Sequence, residues 1–309
     1  MLTPQEKLKQ DEKLYLYEGD DRIVSSTEFI EEEDKEGLGS SFSVDTTFPN
    51  LSKLLFSGFR GGQLITITGP SGQGKTTFAQ MLTRQFEEQG VFSTWFSYEV
   101  GASELIREFS KSKVFYLPRQ MNGHSVQWLV ERARESKLKH PDMGAIFIDT
   151  LDEVVSLERP SNYVTETEFA VSEIKQLSIE LNIPIFQLAH LAKTREYNEV
   201  PTEADIKNSS SIYQKSDKVL MVWRQREKNR DLSMYQYTGK TLIIMNKNRQ
   251  KGSMMTKFSS FHFNEESNEL VEDANIDEIG GPNDMPSLSS PQPTSYDRKS
   301  IEKEPPIDL

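Results

Sequence analysis

The sequence predicts an α/β domain with a mostly parallel central sheet, helices on both faces, and polar, acidic ends. Three observations predict it. Strands and helices alternate along the chain, which is the pattern of a parallel sheet with crossover helices. One strand, Ala145-Ile146-Phe147-Ile148, is a continuous apolar run, as expected for a strand covered on both faces. The first core strand runs into a glycine-rich turn that opens a helix.

Taken in order, residues 1–40 are polar and end in the acidic run Glu31-Glu32-Glu33-Asp34, followed by Gly37 and Gly39. They read as a linker with one short helix around residues 26–35. Residues 63–68 (Gln-Leu-Ile-Thr-Ile-Thr) read as a strand, and residues 75–89 as a helix stopped by Gly90. Residues 91–98 form the next strand, rich in aromatic and β-branched side chains. A helix follows from about Ser103, and another over residues 124–139 carries Val126, Leu129, Val130 and Ala133 on one stripe. After the apolar strand at 145–148, residues 165–181 read as a helix with Phe169, Ile174, Leu177 and Leu181 as its apolar positions. Residues 183–188 and 219–223 are further core strands. Residues 241–245 and 255–263 are late strands at one edge. From about Gly280 the chain is rich in Pro, Ser, Asn and Asp and lacks apolar periodicity, so it is expected to be disordered. The expected division is a linker over 1–40, one α/β domain over 41–270, and an acidic tail over 271–309.

Composition narrows the function classes. The 309 residues are 35% hydrophobic and 27% charged, and no apolar run approaches the roughly 18 residues a membrane span needs. There is no cysteine, which excludes disulfides and thiolate metal sites and fits a reducing cytosol. The net charge of −12 is unevenly spread. Residues 1–40 hold 12 acidic and 5 basic side chains, and residues 271–309 hold 9 and 3, whereas residues 205–257 hold 12 basic against 4 acidic. That basic segment is either a solvated face or a contact for phosphate.

Gly69-Pro70-Ser71-Gly72-Gln73-Gly74-Lys75-Thr76 matches G-x-x-x-x-G-K-[ST] in full, between a strand and a helix. The glycines let backbone N–H groups turn inward on phosphate oxygens, and the helix N-terminus adds partial positive charge. Lys75 is expected on the β- and γ-phosphates and Thr76 on Mg²⁺, and Thr77 counts with residues 69–76 among the nucleotide-binding positions. Asp149 ends the apolar strand, where it serves either as the carboxylate that holds Mg²⁺ or as a helix cap. Glu99 ends the strand Phe96-Ser97-Tyr98-Glu99 at the crevice side of the sheet, as a base for the attacking water or as an ordinary surface residue. His190 ends Ile185-Phe186-Gln187-Leu188-Ala189-His190, as a structural residue or within reach of a γ-phosphate. With four histidines and no cluster, metal binding by His is not expected. Alternation puts Lys247 and Arg249 on one side of their segment, as a surface patch or as cations aimed at a neighbour's nucleotide.

In this order and spacing the motifs resemble the ring-forming replicative helicases of the DnaB and Twinkle type, including the helicase half of phage primase-helicases. The resemblance covers residues 48–270. Thr47-Phe48-Pro49-Asn50-Leu51 and Gly58-Phe59-Arg60-Gly61-Gly62-Gln63-Leu64 look like that family's lead-in to the P-loop. It implies a RecA-like fold and an ATPase using ATP or another NTP with Mg²⁺. Glu99 would be the catalytic base, His190 the γ-phosphate sensor, and Lys247 and Arg249 the cations acting in trans. Ala189-His190-Leu191 has His where DnaB members usually have Gln, which points to the Twinkle-like and phage branch. The segment 205–214, Asp-Ile-Lys-Asn-Ser-Ser-Ser-Ile-Tyr-Gln, resembles the family's DNA-binding loop and helix, with serines where glycine is usual. Lys193, Lys207, Asn208 and Ser209 are the DNA contacts it implies. The partners it implies are single-stranded DNA and further copies of the chain in a hexamer. Primase, loader or polymerase would be separate chains. The acidic tail, with its Ile301, Ile307 and Leu309, would hold such a partner, often the polymerase, or only keep the protein soluble, or cover the basic DNA channel. No membrane partner is expected, and the location expected is the cytoplasm of a bacterial or phage-infected cell. The alternative is a RecA- or KaiC-like ATPase that acts in recombination without unwinding.

Overall fold

A computed structural model describes residues 22–36 and 42–273, apart from 57, 110–113, 124, 157–162, 192–199, 201–204, 207–208, 229–234, 252–256 and 265–268, with a few positions before 22. Residues 1–42 form one unit and residues 43–309 another. In the first, helix α1 (Ser26–Glu36) starts where the Ser25 hydroxyl accepts the Glu28 amide at 3.1 Å, and it leaves Phe29 and Ile30 exposed.

The second unit opens with β1 (Ser43–Val44), helix α2 (Pro49–Leu55) and β2 (Phe59–Arg60), the two strands pairing antiparallel. Then come β3 (Leu64–Gly69), α3 (Lys75–Glu88), β4 (Phe92–Ser97), α4 (Ala102–Glu108) and α5 (Val126–Lys139). These are followed by β5 (Met143–Asp149), α6 (Leu151–Ser156), α7 (Tyr163–Glu180) and β6 (Ile185–His190). The remainder is α8 (Ser209–Lys215), β7 (Lys218–Lys228), β8 (Tyr235–Asn248), β9 (Lys257–Asn264) and β10 (Glu269–Glu272). Eight of these strands form one sheet in the order β10-β9-β8-β7-β3-β6-β5-β4. From β7 to β4 every pairing is parallel; β8, β9 and β10 add an antiparallel edge. The two late strands expected at one edge are therefore part of a larger antiparallel half, and β6 separates the P-loop strand β3 from β5.

Period-two alternation builds both faces of the parallel half. On one face Trp95, Phe147 and Phe186 stand level on β4, β5 and β6. Trp95 stacks on Phe147 at 4.9 Å, Phe147 stacks on Phe186 at 4.5 Å, and Phe59 meets Phe186 edge-on at 4.8 Å. Helix α3 covers this row with Phe86. On the other face Phe96, Ile146, Ile148 and Ile185 pack under α5 and α7. Helix α5 begins at Val126 because Ser125 caps it, its hydroxyl accepting the Trp128 amide at 3.1 Å. The buried face of α7 is Ala170, Val171, Ile174 and Leu177; Phe169, expected on the apolar stripe, is 43% exposed.

At the far edge β10 extends past residue 270 and fastens the start of the unit. The Glu272 carboxylate accepts the amides of Asn50 and Leu51 at 3.0 and 2.8 Å and the Ser259 hydroxyl at 2.6 Å. A carboxylate on the first free N–H groups of α2 is favoured by the helix dipole.

Candidate functional site

The turn between β3 and α3 is shaped by two glycines. A Cβ on Gly69 would run into the Val222 carbonyl oxygen of the neighbouring β7. Gly74, at φ 93°, is the left-handed residue before the first turn of α3. Between them residues 70–73 curl over the carboxyl ends of the parallel strands. This is where a doubly wound sheet offers its ligand crevice.

Lys75 folds back over this loop and donates to the carbonyls of Gly69 and Pro70 at 3.0 and 3.2 Å. Burial pulls its pKa below the ordinary lysine value, while Asp149, Glu99 and Asp152 pull it up. The Thr76 hydroxyl donates to Asp149 Oδ2 at 2.9 Å. Asp149 is 1% exposed, and its other oxygen, Oδ1, is buried without a hydrogen-bond partner. Desolvation raises its pKa to about 6, with Glu99 adding to the rise; the Thr76 hydroxyl, Lys75 and His190 oppose it. Thr76 and Asp149 thus form a set of hard oxygen donors with one buried carboxylate oxygen to spare, which fits Mg²⁺. The metal-ligand reading of Asp149 is favoured over the helix-cap reading by that spare oxygen.

Glu99 and His190 come together across the mouth of the crevice, Glu99 Oε1 to His190 Nε2 at 2.9 Å. The two strand ends that hold them belong to β4 and β6, and β5 with Asp149 lies between. Asp152 contributes a contact that sequence reading passed over. Its Oδ2 accepts the His190 amide at 3.1 Å and so ties α6 to the end of β6. Residues 71–77, Glu99, Asp149 and His190 line a single cleft of about 370 Å³. A larger cavity of about 550 Å³ lies along β4 and α5, and none of the expected site residues line it.

The cleft has a wall that the motifs did not announce. Arg224, Thr241, Phe263 and Leu270 complete it from the antiparallel half of the sheet. Gln73 locks this wall to the loop, accepting the Arg224 amide at 2.6 Å through Oε1 and donating to the Tyr237 hydroxyl at 3.2 Å. Arg224 and Arg226 both lie over the Tyr237 ring, at 4.3 and 4.4 Å from its centre. Only the cluster of basic residues in 205–257 hinted at this wall.

Lys247 and Arg249 are not in the cleft. Gly69 stands level with Val222 of β7, whereas Lys247 pairs with Val219 and Asn248 with Lys218. The Arg249 amide donates to the Asp217 carbonyl at 2.9 Å, five residues before Val222. At about 3.3 Å per residue that is roughly 16 Å along the sheet, toward the end opposite the P-loop. There Lys247 Nζ donates to the carbonyls of Tyr213 and Gln214 at the end of α8, and Arg249 donates to Asp217 and to the Gln214 carbonyl. Lys218, counted in the same basic segment, is fully buried, and burial lowers its pKa to about 8. Of the expected DNA contacts, Lys193, Lys207 and Asn208 lie outside the described residues. Ser209 opens α8, but its side chain is likewise outside them. Among the described residues no helix is long and apolar enough to cross a membrane.

Comparison with known proteins agrees with this geometry. A replicative DNA helicase DnaB of Rickettsia prowazekii is 26% identical over 225 residues, covering 59% of this chain and 46% of that protein. A probable replicative DNA helicase of Trieres chinensis is 24% identical over 242 residues, covering 67% of this chain and 53% of that protein. The chain thus spans about half the length of these relatives. Among solved structures, a DnaB-like replicative helicase described with its primase interactions superposes with a TM-score of 0.61 at 18% identity, covering 87% of this chain and 71% of that one. A second solved structure, an isolated ATPase domain, superposes with a TM-score of 0.63 at 16% identity, covering 81% of this chain and 99% of that one. The fold is RecA-like. The sequence model of the DnaB-like helicase C-terminal domain matches residues 108–270, more than half of the chain and wholly downstream of the P-loop, so the two signals are independent. On that match, the chain belongs to the DnaB-like helicase C-terminal domain family.

Proposed function

We infer that this chain is the motor of a replicative DNA helicase: a ring, hexameric by the resemblance, that moves along single-stranded DNA and hydrolyses ATP or another NTP between its subunits. The observation that carries this reading is the division of one reaction's parts between two ends of one sheet. Residues 71–77, Asp149, Glu99 and His190 sit at the carboxyl end, and Lys247 and Arg249 sit back along the sheet toward the other, level with Val219 and Asp217, roughly 10 and 16 Å away. A cation pair at that distance serves no phosphate of its own chain, so it is free to serve a neighbour's.

In the mechanism this supports, the backbone amides of residues 71–75 and the Lys75 ammonium hold the triphosphate. Thr76 and Asp149 would hold Mg²⁺, which when bound would supply positive charge against the phosphoryl oxygens. Glu99 accepts the proton of the attacking water. Its hydrogen bond to His190 orients the carboxylate and links it to the end of β6, the strand from which the segment resembling the DNA-binding loop departs. Arg224 and Phe263, on the far wall of the cleft, are suited to flank a base by stacking. Arg249 of the adjacent subunit stabilises the transition state, its planar fork matching phosphoryl oxygens. DNA contact by Lys193, Lys207, Asn208 and Ser209 belongs to the same reading, as does the division into a linker over 1–40, a motor core, and an acidic tail that holds a separate partner.

The test is unwinding of a forked duplex with and without ATP, run beside ATPase and sizing measurements. The expected result is ATP-dependent unwinding by a closed oligomer, with ATPase reduced at least a hundredfold in Lys75→Ala, as for loss of a transition-state cation. Filaments that exchange strands without unwinding would instead favour a recombination ATPase. ATPase in Lys75→Ala within tenfold of the parent would overturn the site.

A further inference from the structure

The geometry points to Asp217 as the residue that positions Arg249 for the neighbouring subunit's nucleotide. This rests on the reading that hydrolysis takes place between subunits. Asp217 is 7% exposed and lies on the turn between α8 and β7. Each of its polar groups is committed. Oδ1 accepts from Arg249 Nη1 at 3.1 Å, and Oδ2 accepts from Lys175 Nζ at 2.7 Å and from the Leu64 amide at 2.8 Å. Its own amide donates to the Leu64 carbonyl at 2.8 Å, and its carbonyl accepts the Arg249 amide at 2.9 Å.

The carboxylate is therefore fixed from two sides before Arg249 reaches it. Leu64 is the first residue of the strand that leads to the P-loop, and Lys175 anchors α7. A side chain so fixed makes a rigid post. Arg249 leans on it with one nitrogen and on the Gln214 carbonyl with another, while 53% of its side chain stays exposed. Arginine loses rotamer freedom when it is ordered. A post that orders it beforehand removes that cost from the moment of reaction, which is what a transition-state cation needs. Asp217 touches no substrate; it acts through Arg249. Because it also holds Leu64, a loss of activity on mutation has a second explanation, damage to the chain's own P-loop strand. Mixed oligomers separate the two, because each explanation disables a different side of the interface.

The experiment uses the full chain and four variants: Asp217→Asn, Arg249→Ala, Lys75→Ala and Lys175→Met. Asp217→Asn alone is expected to lose tenfold or more in kcat, with nucleotide affinity within about twofold of the parent. Lys175→Met, which removes one of the two supports of Asp217 and leaves the Asp217–Arg249 pair, is expected to lower kcat by less than Asp217→Asn does and to give the same pattern in the mixtures. The P-loop-damage pattern in its mixtures counts against the proposal. Mixed with Lys75→Ala, both Asp217→Asn and Arg249→Ala should recover hydrolysis, since some interfaces then join an intact P-loop to an intact Asp217 and Arg249. Asp217→Asn mixed with Arg249→Ala should recover none. Damage to the P-loop strand predicts the reverse: recovery with Arg249→Ala and none with Lys75→Ala, and that pattern overturns the proposal. Failure of the Arg249→Ala and Lys75→Ala mixture in oligomers verified as mixed overturns the interface reading itself, and the proposal with it. Should Asp217→Asn fail to fold, Asp217→Glu, which keeps the charge and shifts the carboxylate by one methylene, is put through the same mixtures with the same expected pattern.

Discussion

Asp149 is asked to do two opposed things, to lie buried at the end of a core strand and to carry a negative charge. Its pKa of about 6, raised from 3.8 chiefly by desolvation, measures the conflict. The folded protein binds this proton more tightly than the unfolded chain. The group's contribution to stability is therefore full below pH 3.8 and is lost as pH rises through about 6. For a shift of this size the loss is of order 3 kcal/mol. Asp149→Asn cannot ionise and does not incur it. In metal-free, nucleotide-free buffer the variant should gain on the parent in unfolding free energy between pH 4 and 7, by up to about 3 kcal/mol. A difference that stays flat with pH would mean that Asp149 is solvated. At the same residue, Mg²⁺-dependent nucleotide binding should weaken in the parent below about pH 6, because the proton and the metal compete for one carboxylate.

At the scale of elements, helix α2 depends on a residue more than two hundred positions away. Glu272 of β10 accepts two of its first amides. Glu272→Ala leaves those amides and the Ser259 hydroxyl without their acceptor and should cost about 1–2 kcal/mol in denaturant unfolding, the scale of a lost helix cap. A change under about 0.3 kcal/mol would mean that water substitutes for the carboxylate without loss. This contact also marks how far the sequence could be read. Strands β3 to β6 and the helices α3, α5 and α7 were legible because their apolar periods run for several residues and some of their ends carry Gly90 or a strand-terminal charge. The expected start of α5 at residue 124 fell two residues early because the Ser125 cap was not read. Helix α2 has seven residues and β10 has four, too short for a period, and what holds them is a long-range pair. The P-loop and the strand-end residues Glu99, Asp149 and His190 were legible because motif and strand end coincide. Arg224, Thr241, Phe263 and Leu270 were not, because they reach the cleft only through the order of strands in the sheet. Lys218 misled in the opposite sense: a basic residue in a basic segment, yet buried against Phe59 with its ammonium on the Gly58 and Gln63 oxygens.

On the scale of the whole molecule, the sheet sets what one chain is able to do alone. Every residue expected to grip a triphosphate lies at the carboxyl end of the parallel strands, and both cations expected to stabilise its breakdown lie at the opposite end, seated on α8 and Asp217. Side chains do not span the roughly 16 Å of strand that separate Arg249 from the P-loop, so on the proposed reading a single chain holds a complete binding cleft and an incomplete catalytic one. Binding and hydrolysis should then respond differently to dilution. Nucleotide binding, followed with a fluorescent analogue, should change little as the chain is diluted. ATPase per chain should fall at least tenfold over the range in which sizing reports dissociation, and it should return on concentration. Arg249→Ala should bind nucleotide like the parent and stay inactive at every concentration, since association supplies it with no better partner. Hydrolysis undiminished in chains that sizing reports as monomers would leave Lys247 and Arg249 without a part in the reaction, and the division of the site between the two ends of the sheet would then be only a fact of the fold.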